Sequence, residues 1–174
     1  MRTRSDADER LAAYLNEHLL GSEGGVEAFR AAGRTWAGTP HAATIERLAV
    51  DVARDRRDLA RLVLSLGFRP ARWKRLLTGT LRAIGAAAPY NLLRRRRAST
   101  AQLELDVLMG AVRAKLAMWE ALHELARIDG RIDATLAQRL RERAEHQLDE
   151  LRRVSLATCA ERFGPAAAQR EGRA

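Results

Sequence analysis

Hydrophobic residues recur every three to four positions along most of the chain, a spacing typical of amphipathic helices. The pattern predicts four long helices of similar length, at about residues 6–32, 40–66, 99–128 and 133–163. A shorter stretch with the same period, 71–84, lies within the connection 67–98, and residues 164–174 form a polar tail. Because no strand-like alternation extends beyond a few residues, the sequence predicts a single all-α domain.

Capping residues predict where these helices begin and end. Thr39 before Pro40 favours an N-cap followed by a proline at the first helical position of the second helix. Gly67 is expected to end that helix. Ser99 with Gln102 three residues later predicts a capping box at the start of the third long helix.

Three glycines, Gly21, Gly24 and Gly25, interrupt the first predicted helix. Each glycine weakens a helix, but Gly25 falls on the apolar stripe of this one. We interpret the glycines as positions where two helices approach closely, and we expect the helix to continue through them.

The order of the helices predicts how they are connected. Short loops join the first helix to the second and the third to the fourth, so each pair should be antiparallel. The connection 67–98 is long enough to traverse the bundle. Two hairpins joined by a long crossover, here carrying a short fifth helix, define a ferritin-like four-helix bundle. The alternative is a plain bundle with a fifth helix on its surface.

Short segments of three helices carry a resemblance to known proteins. They are 14–19 (Tyr-Leu-Asn-Glu-His-Leu), Asp55-Arg56, Leu66-Gly67, Gly110, Lys115 and Trp119. Through them the chain resembles a poorly characterised bacterial family with the ferritin-like fold that lacks the di-iron ligand pattern. The resemblance implies that fold and no established activity.

A polar layer is predicted at the middle of the bundle. Counting residues outward from the two hairpin loops places four polar residues at one level on the buried stripes: His18, Asp55, Lys115 and Gln147. Asp51 and Ser22 lie slightly nearer the first loop. Since a lone buried charge is costly, we expect Lys115 to compensate Asp55 where a metal-binding relative would hold cations, with His18 bonding the same carboxylate. The alternative is that Lys115 extends to solvent and Asp55 lies at the helix edge.

The ligand pattern of di-iron bundles is incomplete in this sequence. Such bundles use a Glu on each of two helices and a Glu-x-x-His on each of the other two. Glu120-x-x-His123 is the single copy here, near the end of the third helix, and Glu142, Glu145 and His146 flank the apolar stripe of the fourth. We therefore predict no metal and no cofactor. The enzyme alternative, a di-iron or di-manganese carboxylate oxidoreductase, would use His18, Asp51, Asp55 and Glu104.

Positive charge is concentrated in the crossover. No acidic residue occurs between Asp58 and Glu104, whereas this stretch holds ten basic residues of a chain whose net charge is +9. Besides Arg61, these are the anion-binding candidates Arg69, Arg72, Lys74, Arg75, Arg82, Arg94, Arg95, Arg96 and Arg97. Three interpretations remain open: a solvated or internally paired surface, a polyanion site, or contact of residues 69–97 with an anionic membrane. Nothing beyond charge favours sequence-specific recognition of nucleic acid.

The remaining composition bears on location and role. The chain has no apolar run long enough to cross a membrane and no apolar core of a secretion signal near its N-terminus, and its single cysteine, Cys159, excludes an internal disulfide. We expect a cytoplasmic, non-catalytic interaction or scaffold protein. Homo-oligomer formation is compatible with long exposed helix faces.

Overall fold

A computed structural model describes residues 5–69 and 98–164, which form four long α-helices and no strand. The helices are α1 (Asp6–Thr35), α2 (Ala42–Ser65), α3 (Ala98–Leu125) and α4 (Ala134–Phe163). The prediction of an all-α, four-helix protein is confirmed for this part of the chain. The predicted helix at 71–84 and nearly all of the polar tail lie outside the described residues.

Helix α1 is continuous from its cap to its last turn. Ser5 accepts a hydrogen bond from the backbone N–H of Asp8 (3.2 Å), and acidic residues in the first turn favour the positive end of the helix dipole. The predicted continuity through the glycines is confirmed. The predicted close approach is wrong, because a Cβ atom added at Gly21, Gly24 or Gly25 would meet no other atom within 4 Å.

The loop between α1 and α2 differs from the prediction. Helix α2 begins at Ala42, and the residue before it, His41, makes no side-chain capping bond. Thr39 does not cap the helix; its hydroxyl donates to the carbonyl of Trp36 (2.7 Å) and accepts from the backbone N–H of His41 (3.3 Å). The hydroxyl therefore stabilises the turn rather than the helix. At the other end the predicted stop is confirmed, since Gly67 adopts a φ of 75° immediately after the helix.

The turn between α3 and α4 is held by side chains of its own. Helix α3 ends at Leu125, three residues before the predicted end. Asp129 accepts bonds from the backbone and the guanidinium of Arg131, and Asp133 caps α4 by accepting from the backbone N–H of Leu136 (3.0 Å). The capping box predicted for α3 involves Ser99, whose side chain lies outside the described residues.

Helix α1 packs along α2 and α3 packs along α4, while α1 also contacts α3 and α2 contacts α4. Helices α1 and α3 are antiparallel. Asp8, in the first turn of α1, pairs with Arg131 just after α3 (2.7 Å), and Trp36, just after α1, bonds Glu104 near the start of α3 (3.0 Å).

Helices α2 and α4 are also antiparallel. Arg47 in α2 pairs with Glu150 (2.6 Å), whereas Asp58, further along α2, pairs with Arg143, which is earlier in α4. Every neighbouring pair in the bundle therefore runs in opposite directions. It follows that the chain leaves α2 at one end of the bundle and enters α3 at the opposite end.

The space between the four helices is filled mainly by aliphatic side chains. The largest fully buried hydrophobic residues are Trp119, Phe29, Leu15, Ile45, Leu48, Leu105, Leu108, Met118, Leu122, Leu151 and Val63. Burying each such side chain contributes about 1.5–3 kcal/mol, so this core is the main source of stability. In the part of the chain that the structure describes, no helix carries an apolar stretch that would cross a bilayer.

Candidate functional site

A cluster of three polar side chains from three helices lies at the middle of the bundle. The Lys115 ammonium donates to Asp55 Oδ2 and to Gln147 Oε1, and Gln147 Nε2 donates to the same Asp55 oxygen (3.0 Å). Asp55 and Gln147 are 3% and 1% exposed, and the Lys115 side chain is 15% exposed. The alternative in which Lys115 extends to solvent is thus wrong. Gln147 suits its position because its amide presents an acceptor to the ammonium and a donor to the carboxylate.

A second cation, Arg143, extends this cluster. Its guanidinium forms ion pairs with Asp55 Oδ1 and Asp58 Oδ2, and Asp58 also binds Arg61. Arg143 lies one helical turn before Gln147, and Asp58 one turn after Asp55, so each pair shares a helix face. This spacing was the available sequence signal for Arg143, which the sequence analysis missed.

The charges in this cluster balance one another. Burial lowers the pKa of Lys115, and the charge and hydrogen bond of Asp55 oppose that decrease. Burial alone would raise the pKa of Asp58, but the hydrogen bonds and charges of Arg143 and Arg61 lower it below its ordinary value. The two carboxylates, Asp55 and Asp58, and the two cations, Lys115 and Arg143, each have a partner of opposite charge. These four charges therefore sum to zero, which limits the cost of burying them.

His18 lies near this cluster but does not join it. The predicted hydrogen bond between His18 and Asp55 does not form in the part of the chain that the structure describes. The imidazole packs edge-on against the Tyr14 ring instead, with ring centroids 4.7 Å apart. Burial lowers the pKa of His18, so the ring is neutral at pH 7.

The two outer members of the predicted layer make no direct bond to the cluster either. The Ser22 hydroxyl donates to the carbonyl of Leu19 within its own helix. Asp51 is partly exposed, and its charge acts on Lys115 only at a distance, raising the lysine pKa slightly against the effect of burial.

The residues at mid-bundle do not fit a di-metal centre. Among the described residues, no three His, Cys, Asp or Glu side chains converge as metal ligands. Asp55 is already engaged by the cations Lys115 and Arg143, which would repel a divalent ion. Glu104 lies at another level and accepts a hydrogen bond from Trp36 Nε1 (3.0 Å). The four residues of the oxidoreductase hypothesis are therefore not brought together.

The other acidic and histidine residues considered as ligands are spread over the surface. His123 is partly buried, and its neighbour in the Glu-x-x-His motif, Glu120, is exposed; Glu142, Glu145 and His146 are exposed as well. Cys159, the single cysteine of the chain, is exposed on α4.

The structure also contains a second polar cluster, at the end of the bundle where α1 ends and α3 begins. The buried Glu104 carboxylate accepts from Trp36, whose ring carries the Arg162 guanidinium over its face (4.7 Å to the centroid). Arg162 donates to Gln102 Oε1 (2.9 Å), and the Gln102 amide donates to Ser155 (2.6 Å). The sequence analysis considered Gln102 and Glu104 in other roles and missed this cluster, because its contacts depend on how the end of α1 packs against α3 and α4.

Glu104 provides a pH-dependent prediction. Burial raises its pKa above the ordinary 4.5, although bonds from Trp36 and Thr35 and the charge of Arg162 oppose the increase. The folded protein therefore holds this proton more tightly than the unfolded chain, and ionisation of Glu104 lowers stability as pH rises above 4.5. Glu104→Gln cannot ionise and still accepts from Trp36, so its free energy of unfolding should increase relative to wild type between pH 4 and pH 7, measured by urea denaturation. The exposed Glu120→Gln is the control, and a Glu104→Gln difference that is independent of pH would contradict the assignment.

Only the start of the predicted basic surface is described. Arg61 is paired with Asp58 (2.5 Å), and Arg69 is exposed, with its backbone carbonyl accepting from Asn16 Nδ2 (3.4 Å). The other candidates lie outside the described residues: Arg72, Lys74, Arg75, Arg82, Arg94, Arg95, Arg96 and Arg97. Their role in binding anions stays a prediction.

Beside the mid-bundle cluster, α1, α2 and α3 line a cavity of about 290 Å³ that opens to solvent between α1 and α3, where Gly21 and Ala111 are exposed. Its wall is mainly apolar and includes Phe29, Val52, Leu59, Met118 and the fully buried Trp119. The indole N–H of Trp119 has no acceptor among the described residues. No residue of α4 reaches this cavity, so it is a space between α1 and its two neighbours.

Over residues 5–69 and 98–164, the fold and the cluster define the class of the protein: an all-α four-helix bundle with an ion-paired polar centre. No protein-family model, curated protein or solved structure matches the chain significantly. The resemblance to a ferritin-like family therefore stays a prediction.

Proposed function

We propose that this chain is a ferritin-like bundle that acts by binding a partner or ligand rather than by catalysis, as an interaction or scaffold protein. The observation that carries the proposal is the Lys115 ammonium seated between Asp55 and Gln147 at the middle of the bundle. An ammonium at this point supplies the positive charge that bound cations supply in a di-metal bundle. It also excludes such cations by repulsion.

The path of the chain supports the ferritin-like part of the proposal. The described chain leaves α2 and enters α3 at opposite ends of the bundle, as the pairings of Asp8 with Arg131 and Trp36 with Glu104 require. A helix of 28 residues is about 42 Å long. Residues 70–97 can span that length, since an extended chain covers about 3.3 Å per residue. A connection of this kind between two antiparallel hairpins is the crossover of ferritin-like folds.

Two further observations support binding over catalysis. The mid-bundle charges are matched within the protein, which leaves no free nucleophile, general base or metal ligand set among the described residues of the cluster. Next to them lies the 290 Å³ cavity, in whose wall the charges of Asp55, Lys115 and Arg56 are each paired within the protein.

Metal analysis of the purified protein tests this proposal. After dialysis against a metal-free buffer, we expect iron and manganese well below one equivalent per chain, and no increase after incubation with Fe(II) or Mn(II). Two equivalents that survive dialysis in the wild type and are lost in Asp55→Ala would contradict it. Asp149→Ala, which removes an exposed carboxylate of α4, controls for metal bound weakly at the surface.

A further inference from the structure

The cavity between α1, α2 and α3 exists because small residues face one another across it. Helix α1 contributes Gly21, Ser22 and Gly25 to the wall, and α3 contributes Ala111 and Ala114. A Cβ atom added at Gly21 or Gly25 would meet nothing within 4 Å, so neither glycine is required by contact with a neighbour. Larger residues would close this space at no steric cost and would favour the helix. The glycines thus preserve a cavity at some expense in helix stability.

The size of the cavity sets the size of an occupant. Proteins tolerate few empty spaces larger than a water molecule, and an engineered cavity of about 150 Å³ holds benzene. The volume here is 290 Å³, about twice that. A compact molecule of about twelve non-hydrogen atoms, such as a two-ring compound, therefore fits.

The charges around the cavity determine the charge of an occupant. Four ionised residues contribute to the wall, two acidic (Glu17 and Asp55) and two basic (Arg56 and Lys115). Asp55 and Lys115 bind each other, Arg56 pairs with Glu23 (2.6 Å), and the Glu17 carboxylate is exposed at the rim rather than buried. A charged ligand would find no unmatched buried counter-charge, and its desolvation would go uncompensated. The occupant is therefore neutral.

His18 contributes a neutral polar group to this wall. Its imidazole lines the cavity, is held from one side by the Tyr14 ring, and forms no hydrogen bond within the described residues. Because burial lowers the pKa of His18, the neutral ring offers one donor and one acceptor. A hydroxyl or carbonyl group on the ligand would pair with it.

We propose that this cavity binds a neutral, mainly apolar small molecule of about twelve non-hydrogen atoms that bears one hydroxyl or carbonyl group, with His18 as its hydrogen-bond partner. This inference rests on the proposed function, because it names the class of ligand that the non-catalytic bundle binds. It requires Lys115 to stay engaged with Asp55, which keeps the cavity free of net charge.

Titration calorimetry with 2-naphthol tests the proposal on the full chain. We expect saturable binding at one site per chain. Naphthalene, which lacks the hydroxyl, should bind about three- to tenfold more weakly, the effect of losing one hydrogen bond. The anion 2-naphthoate has the same rings and should bind more than about tenfold more weakly, since its charge has no partner.

Leucine substitutions at two neighbouring glycines of α1 test whether 2-naphthol binds in this cavity. Gly25→Leu directs a side chain into the cavity and should weaken 2-naphthol binding at least about tenfold. Gly24→Leu is the control, because Gly24 is exposed on the same helix and does not line the cavity. Both variants should fold, since each replaces a helical glycine without a clash. Equal losses in the two variants would overturn the assignment to this cavity.

The affinities of a His18 variant for 2-naphthol and naphthalene test the role of His18 as hydrogen-bond partner. His18→Leu should reduce the affinity for 2-naphthol to that for naphthalene and leave naphthalene binding unchanged within about twofold. Weakening of both ligands to the same extent would mean that His18 only packs in the wall, and would overturn its role as anchor.

Two outcomes overturn the site itself. One is the absence of saturable 2-naphthol binding in the wild type. The other is binding that appears only after Leu76 and Leu77, apolar residues of the predicted helix at 71–84, are replaced by Ala, which would mean that the chain's own residues occupy the cavity. The metal analysis separates this inference from the proposed function. Metal-bound protein that still binds 2-naphthol contradicts only the proposed function, whereas metal-free protein that does not bind it contradicts only the inference.

Discussion

Replacing Asp55 by Asn should lower the free energy of unfolding by about 4 kcal/mol, within the range for breaking a buried ion pair. The substitution keeps the shape of the side chain and removes the charge that both Lys115 and Arg143 contact. Two cations are then left close together in a buried position with one matching carboxylate, Asp58. Urea denaturation followed by circular dichroism measures the loss.

Asp51→Asn is the matched control for this experiment. Asp51 lies one turn before Asp55 on the same helix, is partly exposed and forms no ion pair within the described residues. We expect a change within about 0.5 kcal/mol. The Asp55→Asn deficit should also shrink as pH is raised from 7 toward 10, because the unpaired Lys115 is deprotonated more readily in the folded state than in the unfolded chain. Equal effects of the two substitutions would contradict the assignment of Asp55 as the counter-charge.

Replacing Lys115 by Met should lower the free energy of unfolding by about 3 kcal/mol. Met retains most of the aliphatic stem but leaves Gln147 Oε1 without its donor and Asp55 with Arg143 as its remaining cation. The expected loss is smaller than for Asp55→Asn because Arg143 still compensates the carboxylate. The same denaturation experiment measures it.

The double variant Asp55→Asn/Lys115→Met distinguishes a buried pair from two independent residues. It removes both charges, and Arg143 keeps Asp58 as its partner. The double variant should therefore be more stable than the sum of the single changes predicts, by about 2–3 kcal/mol. Strict additivity would show that Lys115 and Asp55 do not act as a pair.

Helix periodicity and loop length predicted the four helices, because these features depend on residues close in sequence. The same local information predicted which residues of α2, α3 and α4 reach the centre: Asp55, Lys115 and Gln147 lie on buried stripes at matching distances from the hairpin loops. Because the helices of each hairpin are antiparallel, residues at equal distances from the loop lie at the same level of the bundle. The cost of a lone buried charge then predicted that Lys115 and Asp55 would pair.

Interactions that depend on the spacing between helices were not predictable. His18 lies on the expected face of α1, but its ring packs on Tyr14 of the same helix and lines the cavity, because the sequence does not show how far α1 lies from its neighbours. The glycines of α1 were interpreted as points of close approach for the same reason: the sequence shows that they are small but not how far away the neighbouring helix lies. The space around Gly25 was decided by the packing of α1 against α2 and α3.

The sequence by itself determined the number and approximate length of the long helices and the pairing of Lys115 with Asp55. Periodicity gives the position of each residue along its helix, and the cost of burying a lone charge then requires a partner at the same level. Only the tertiary structure determined that Arg143 shares Asp55, that Trp36 binds Glu104, and that a cavity opens beside His18. These features depend on the lateral distances and rotations of packed helices. Such distances are set by the sum of many side-chain contacts, so a spacing such as that of Arg143 and Gln147 shows a shared helix face but not which residue of the next helix is contacted.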